Sequence, residues 1–168
     1  MPEWEITVDI DERFVAEVAE ETLTAALSAV LTYAGVGDAG VAIVITDNDY
    51  VQSLNREYRG VDAPTDVLSF AAQEGDDLDA EFAPEAAAEI DRYLGDLILA
   101  YPYAAAQATR YGYPVQVELQ LLVVHGCLHL LGYDHDSDES QAEMWAAQSA
   151  ILTSLGVSVD LTPRMAAG

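Results

Sequence analysis

The stretch VQVELQLLVVHGCLHLLGYDH, residues 115–135, decides the fold. From Val115 to Leu131 it is apolar on nearly every side, the pattern of a helix enclosed by its neighbours rather than laid on a surface. Gly132 stops that helix. All three histidines of the chain sit at its end: His125, His129 and His135. On a helix, residues four apart rise one above the other on one face, so His125 and His129 can each place a ring nitrogen about 2.0–2.1 Å from a single ion. Gly132 can adopt the left-handed conformation that turns the chain sharply, bringing His135 back toward the pair. The expected result is a three-histidine metal site with one coordination position open.

The spacing His-x-x-x-His-x-x-Gly-x-x-His resembles the zinc signature of metzincin proteases, with one departure. Where those proteases carry the glutamate that takes a proton from water, this chain has Gly126. Peptide hydrolysis by that route lacks its base. Three imidazoles with no anionic ligand leave the ion close to its full charge, which suits activating water or gripping a phosphate oxygen. Zinc is favoured over nickel or copper because this ligand set is its commonest catalytic one. Asp134 and Asp136 flank His135 and either orient an imidazole or face solvent. Cys127 points about 160° away from His129 around the helix and is expected in the core, not at the metal.

Outward from this helix, short apolar runs alternate with helical stripes. Trp4, Ile6, Val8 and Ile10 alternate with Glu5, Thr7 and Asp9 as a half-buried strand. Asp11–Tyr33 carries apolar residues three and four apart and predicts one helix, ended by Gly35 and Gly37. Val41–Ile45 predicts a second strand, followed by Thr46-Asp47-Asn48 as cap and a helix with Val51, Leu54 and Tyr58. Val67–Phe70 and Leu94–Tyr101 predict two more strands. Pro102–Gly112 predicts an alanine-rich helix, and Ser137 caps a last one reaching Leu155. The sum is an α/β (α+β) domain over residues 1–160, with about four strands in a mixed sheet packed with helices. An acidic insertion at 74–92 and a loose tail at 161–168 are expected beside it.

At 168 residues the chain is long enough to bury one core, and its 51% hydrophobic content excludes a wholly disordered protein. Six arginines, no lysine and 30 acids give a net charge of −24, which excludes a general basic nucleic-acid groove. An RNA partner must then be held by a few arginines and a metal, against a long-range repulsion that salt relieves. The single cysteine excludes an internal disulfide and a cysteine-rich zinc module. Neither a signal peptide nor a run of about 18 apolar residues is visible, so a cytoplasmic protein with no membrane partner is expected. The elements of a zinc deaminase are also absent.

A second cluster, Leu54 through Phe70, holds two of the six arginines beside a loop with Gly60 and Pro64. A guanidinium can grip a phosphate bidentately and neutralise charge that develops on it. Arg59, at the helix end, is the candidate for that role. Arg56 is expected to pair with an acid of its own helix, and Thr65 and Asp66 to shape the turn.

These two clusters together resemble the YbeY family of bacterial endoribonucleases, the rRNA maturation factors. The resemblance is carried by Tyr58-Arg59-Gly60-x-Asp62-x-Pro64-Thr65-Asp66-Val67-Leu68-Ser69-Phe70 and by the complete run from His125 to His135, with Leu94-Gly95-Asp96-Leu97 and Glu143-Met144 in agreement. It implies a zincin-like fold and one zinc per chain on His125, His129 and His135. It also implies single-strand-specific cleavage of RNA in 16S rRNA 3′-end maturation and 70S ribosome quality control. Arg59 and, through the metal, His125 are the implied catalytic residues. Ribosomal proteins or a ribosome-associated GTPase are implied partners, and DNA is not. Either water or the RNA's own 2′-OH attacks the phosphodiester. Two other classes remain open: an assembly or RNA-binding factor with a structural zinc, and a metzincin-like peptidase that recruits another carboxylate. Family members often have Pro after the strand's Phe, where this chain has Ala71.

Overall fold

A computed structural model describes residues 2–72, 93–134 and 136–157. Four strands form one mixed sheet in the order β1-β2-β4-β3: β1 Trp4–Ile10, β2 Ala39–Thr46, β3 Val67–Ala71 and β4 Tyr93–Ala100. β1, β2 and β4 run parallel, and β3 lies antiparallel to β4 at the edge, with Ser69 opposite Leu97. The helices among the described residues are α1 Glu20–Tyr33, α2 Asn48–Arg59, α3 Tyr101–Tyr111, α4 Val115–Leu130 and α5 Asp138–Ser154. The predicted four-stranded mixed sheet is therefore present. The expected insertion at 74–92 and tail at 161–168 lie outside the described residues.

The sheet divides the apolar residues into two groups. Val41, Ile43 and Ile45 of β2 with Leu97 and Leu99 of β4 meet α1, α4 and α5 on one face. On the other, α2 lays Val51 and Leu54 over Leu68, Phe70, Ile98 and Ala100. β2 and the Leu97–Ala100 half of β4 are apolar toward both faces because both faces are covered there, whereas the edge strand β1 alternates. α4 is buried on several sides at once, with Leu119, Leu122, Val123, Val124, Cys127 and Leu128 at or near zero exposure. That explains its all-round apolar sequence. No helix among the described residues is long and apolar enough to cross a membrane.

One predicted helix is shorter than its stripe. Asp11–Tyr33 is not continuous: Glu12–Phe14 forms a 3-10 turn and α1 begins at Glu20. Asp11 caps the turn by accepting from the Arg13 amide, and the Arg13 guanidinium binds both Asp11 at 2.8 Å and Asp47 at 2.5 Å. Phe14 stacks on Tyr101 with ring centroids 4.9 Å apart. These contacts hold the segment against the sheet end instead of letting it extend the helix, and periodicity alone cannot see them.

Candidate functional site

The site forms where α4 passes beneath the edge strand β3. Contact that close needs a residue without a side chain, and Gly126 supplies it: a Cβ there would lie 2.9 Å from Leu97 Cδ2 and 3.0 Å from Ser69 Oγ. The position that bears the glutamate in metzincins is thus pressed against the sheet. Its neighbours in the helix, His125 and His129, are half-buried and face a cleft of about 470 Å³. Arg59, Asp66, Ser69, Ala71 and Leu130 line the same cleft.

The two imidazoles are oriented by different partners. His129 Nδ1 lies 3.0 Å from the Tyr133 carbonyl oxygen, which can only accept, so Nδ1 carries the proton and Nε2 a lone pair. His125 Nδ1 lies 2.6 Å from Gln148 Oε1 on α5. With both Nδ1 atoms engaged, the two Nε2 atoms converge to 3.1 Å at a ring-to-ring angle of 83°. Two lone pairs at that distance repel, and a cation between them removes the conflict. Tetrahedral zinc with nitrogen ligands at about 2.0–2.1 Å requires ligand atoms about 3.3–3.4 Å apart, so the pair is close to the spacing a metal demands. The donor set fits a divalent metal ion.

Gly132 has φ +99, the conformation expected where the chain turns back after the helix. His135 lies outside the described residues. Among the described residues no group of three His, Cys, Asp or Glu is assembled. Asp134 and Asp136 are exposed.

Arg59 is the last residue of α2, where Gly60 ends the helix in the left-handed conformation. One of its N–H groups donates to the Ser69 carbonyl at 2.9 Å, and its guanidinium stands 4.6 Å from the Phe70 ring centroid. This braces the cation along the outer edge of β3 beside the cleft. The loop after α2 is pinned from within, because the buried Asn55 amide donates to the Ala63 carbonyl at 2.9 Å. Arg56 differs from expectation: its acid is Asp62 of the following loop at 3.6 Å, not one on its own helix, and both are well exposed. Gly60 folds the loop back beside the last turn of α2 and brings that acid within reach.

Asp66 does shape the turn, since its carboxylate accepts from the Val67 amide at 2.8 Å and from the Gln107 side chain at 3.2 Å. Cys127 is fully buried, and that burial pushes its thiol up to about 12, which leaves it a neutral core group. Gln148 and the cleft-facing role of Ser69 were not legible as site features. An amide standing in the stripe Met144, Ala147, Ile151 and Leu152 was the available signal for Gln148.

Residues 5–156 match the family described as Endoribonuclease YbeY. The chain is 47% identical to the Endoribonuclease YbeY of Moorella thermoacetica over 145 residues, 85% of this chain and 90% of that one. With that of Roseiflexus sp. it shares 46% over 162 residues, 94% of this chain and 98% of the relative. The fold is similar to the solution structure of TM1509 from Thermotoga maritima, with a TM-score of 0.57 and 26% identity, covering 88% of this chain and 86% of the other.

Proposed function

This chain belongs to the endoribonuclease YbeY family, and on that premise we propose what its site does. The protein is an endoribonuclease, a hydrolase that cuts RNA phosphodiester bonds, and it works in rRNA processing. In our reading one zinc ion per chain is held by His125, His129 and His135, and residues 1–160 act as one catalytic domain. The substrate is the 3′ precursor region of 16S rRNA, cut within the ribosome's reach in the cytoplasm. Ribosomal proteins or a ribosome-associated GTPase supply affinity, and a part in 70S quality control follows. The observation that carries the metal reading is the convergence of two Nε2 atoms at 3.1 Å with both Nδ1 atoms occupied elsewhere.

When bound, the metal supplies a Lewis acid for a phosphate oxygen and lowers the pKa of water. The remaining work falls to the chain itself. Arg59, braced by the Ser69 carbonyl and the Phe70 ring, neutralises charge developing on the phosphate without having to reorganise first. Gly126 leaves no carboxylate between the histidines, which removes the proton acceptor a peptidase would use.

The test is cleavage of an end-labelled RNA carrying the 16S 3′ precursor region by metal-analysed wild type and His129→Ala. Wild type is expected to hold zinc and cut, and His129→Ala to lose both. A His129→Ala protein that keeps its zinc and its cutting would overturn the site. The ends also decide the nucleophile, because attack by the 2′-OH leaves a 2′,3′-cyclic phosphate and attack by water does not.

A further inference from the structure

α5 packs an apolar stripe against the core, and one amide stands in it: Gln148, 1% exposed between Ala147 and Ile151. A buried amide persists only where its polar atoms are paired, so its partner identifies its purpose. That partner is His125 Nδ1 at 2.6 Å, reached across from α5 to α4. We propose that Gln148 is a positioning residue for metal binding, holding His125 in the Nδ1–H form so that Nε2 presents its lone pair to the ion. The inference rests on the metal reading above.

An imidazole that binds metal through Nε2 must carry its proton on Nδ1, and a half-buried Nδ1–H must have an acceptor. For His129 the main chain provides one, the Tyr133 carbonyl, whatever the side chain at that position. For His125 the acceptor on Nδ1 is a side chain, Gln148 Oε1, so that half of the site depends on residue identity. A methionine at 148 has similar length and no comparable acceptor. A glutamate keeps the oxygen in place and, being charged, accepts more strongly.

The test compares wild type, Gln148→Met and Gln148→Glu for zinc affinity, measured by competition with a chromogenic chelator. Unfolding of the zinc-free proteins by urea is followed in parallel. Gln148→Met is expected to fold and to bind zinc about 10- to 100-fold more weakly. Gln148→Glu should bind at least as tightly as wild type. A folded Gln148→Met with wild-type affinity overturns the proposal, as does a Gln148→Glu that binds more weakly than wild type. The glutamate arm decides the matter even if the methionine variant does not fold. A purely structural role would lower the urea midpoint and leave zinc affinity in place. Wild type that takes up no zinc would instead sink the metal reading itself, and this proposal with it.

Discussion

The Ser69 hydroxyl donates to the Gly126 carbonyl at 3.3 Å, and a Cβ at position 126 would stand 3.0 Å from that hydroxyl's Oγ. Edge strand and central helix touch here at the distance of a backbone, not of a side chain. The contact sets the width of the cleft, because β3 carries the Ser69 carbonyl that braces Arg59 while α4 carries the histidines. A glycine fits position 126 for its thinness, and a glutamate there would meet Leu97 and Ser69.

Enlarging position 126 should cost stability before it alters chemistry. Gly126→Ala is expected to destabilise by about 1–3 kcal/mol through forced displacement of Leu97 and Ser69. Gly126→Glu should not gain peptidase activity. Urea unfolding and a peptide-library assay check the two halves, and a stable Gly126→Glu that cleaves peptides would refute the packing argument.

Arg59 is exposed, and it donates to the Ser69 carbonyl and stands over the Phe70 ring at the surface, so its removal should cost little stability. Its loss should cost about 10²-fold or more in kcat/KM on RNA, the scale for a donor aimed at developing charge. Arg59→Lys should recover little, because an ammonium cannot hold the Ser69 carbonyl and a phosphate in one planar fork. Zinc content should stay at the wild-type level in both variants. Steady-state cleavage with metal analysis measures this, and zinc loss in Arg59→Ala would mean the arginine is structural.

With a net charge of −24 the protein repels its polyanionic substrate at long range. Isolated cleavage of a short RNA should therefore speed up, in kcat/KM, as monovalent salt rises from about 20 to about 150 mM, over which the screening length shortens to about 8 Å. Ordinary basic ribonucleases show the opposite slope. A steep fall with salt would show that local arginine contacts dominate encounter.

Arg13 joins the 3-10 turn to the start of α2 through Asp11 and Asp47. Hydrogen bonding to Arg13 holds Asp11 at about 2, and the same guanidinium lowers Asp47. A carboxylate depressed in the folded state contributes stability above its unfolded value and loses it as pH falls through its folded one. Arg13→Ala should thus be the less stable protein at pH 5 to 7, by the small margin of an exposed pair. The two proteins should converge as pH approaches about 2. Urea titrations across that range, with carboxyl NMR shifts for Asp11, check both sign and window.

Much of the framework was legible because it rests on local rules. The alternation in Trp4–Ile10, the caps Asp47 and Ser137, and the break at Gly132 are short-range chemistry, and each element stands within a few residues of its expected place. Cys127 could be assigned to the core from its angle around the helix, and it is fully buried there. The interruption before α1 was not legible, since an aspartate, an arginine and a distant Asp47 cause it together. The partner of Arg56 was misplaced for a similar reason, the returning loop.

By itself, then, the sequence determined that His125 and His129 share a helical face, because a spacing of four leaves a helix no other choice. Only the tertiary structure decided that Gln148 faces His125 and that Arg59, Ser69, His125 and His129 share one cleft. Gln148 follows His125 by 23 residues and Ser69 precedes Gly126 by 57, and no local periodicity encodes contacts across such separations. They arise when burying α4 against the sheet and α5 brings those side chains to one place, and the pairing of polar groups in that buried setting then selects their identities.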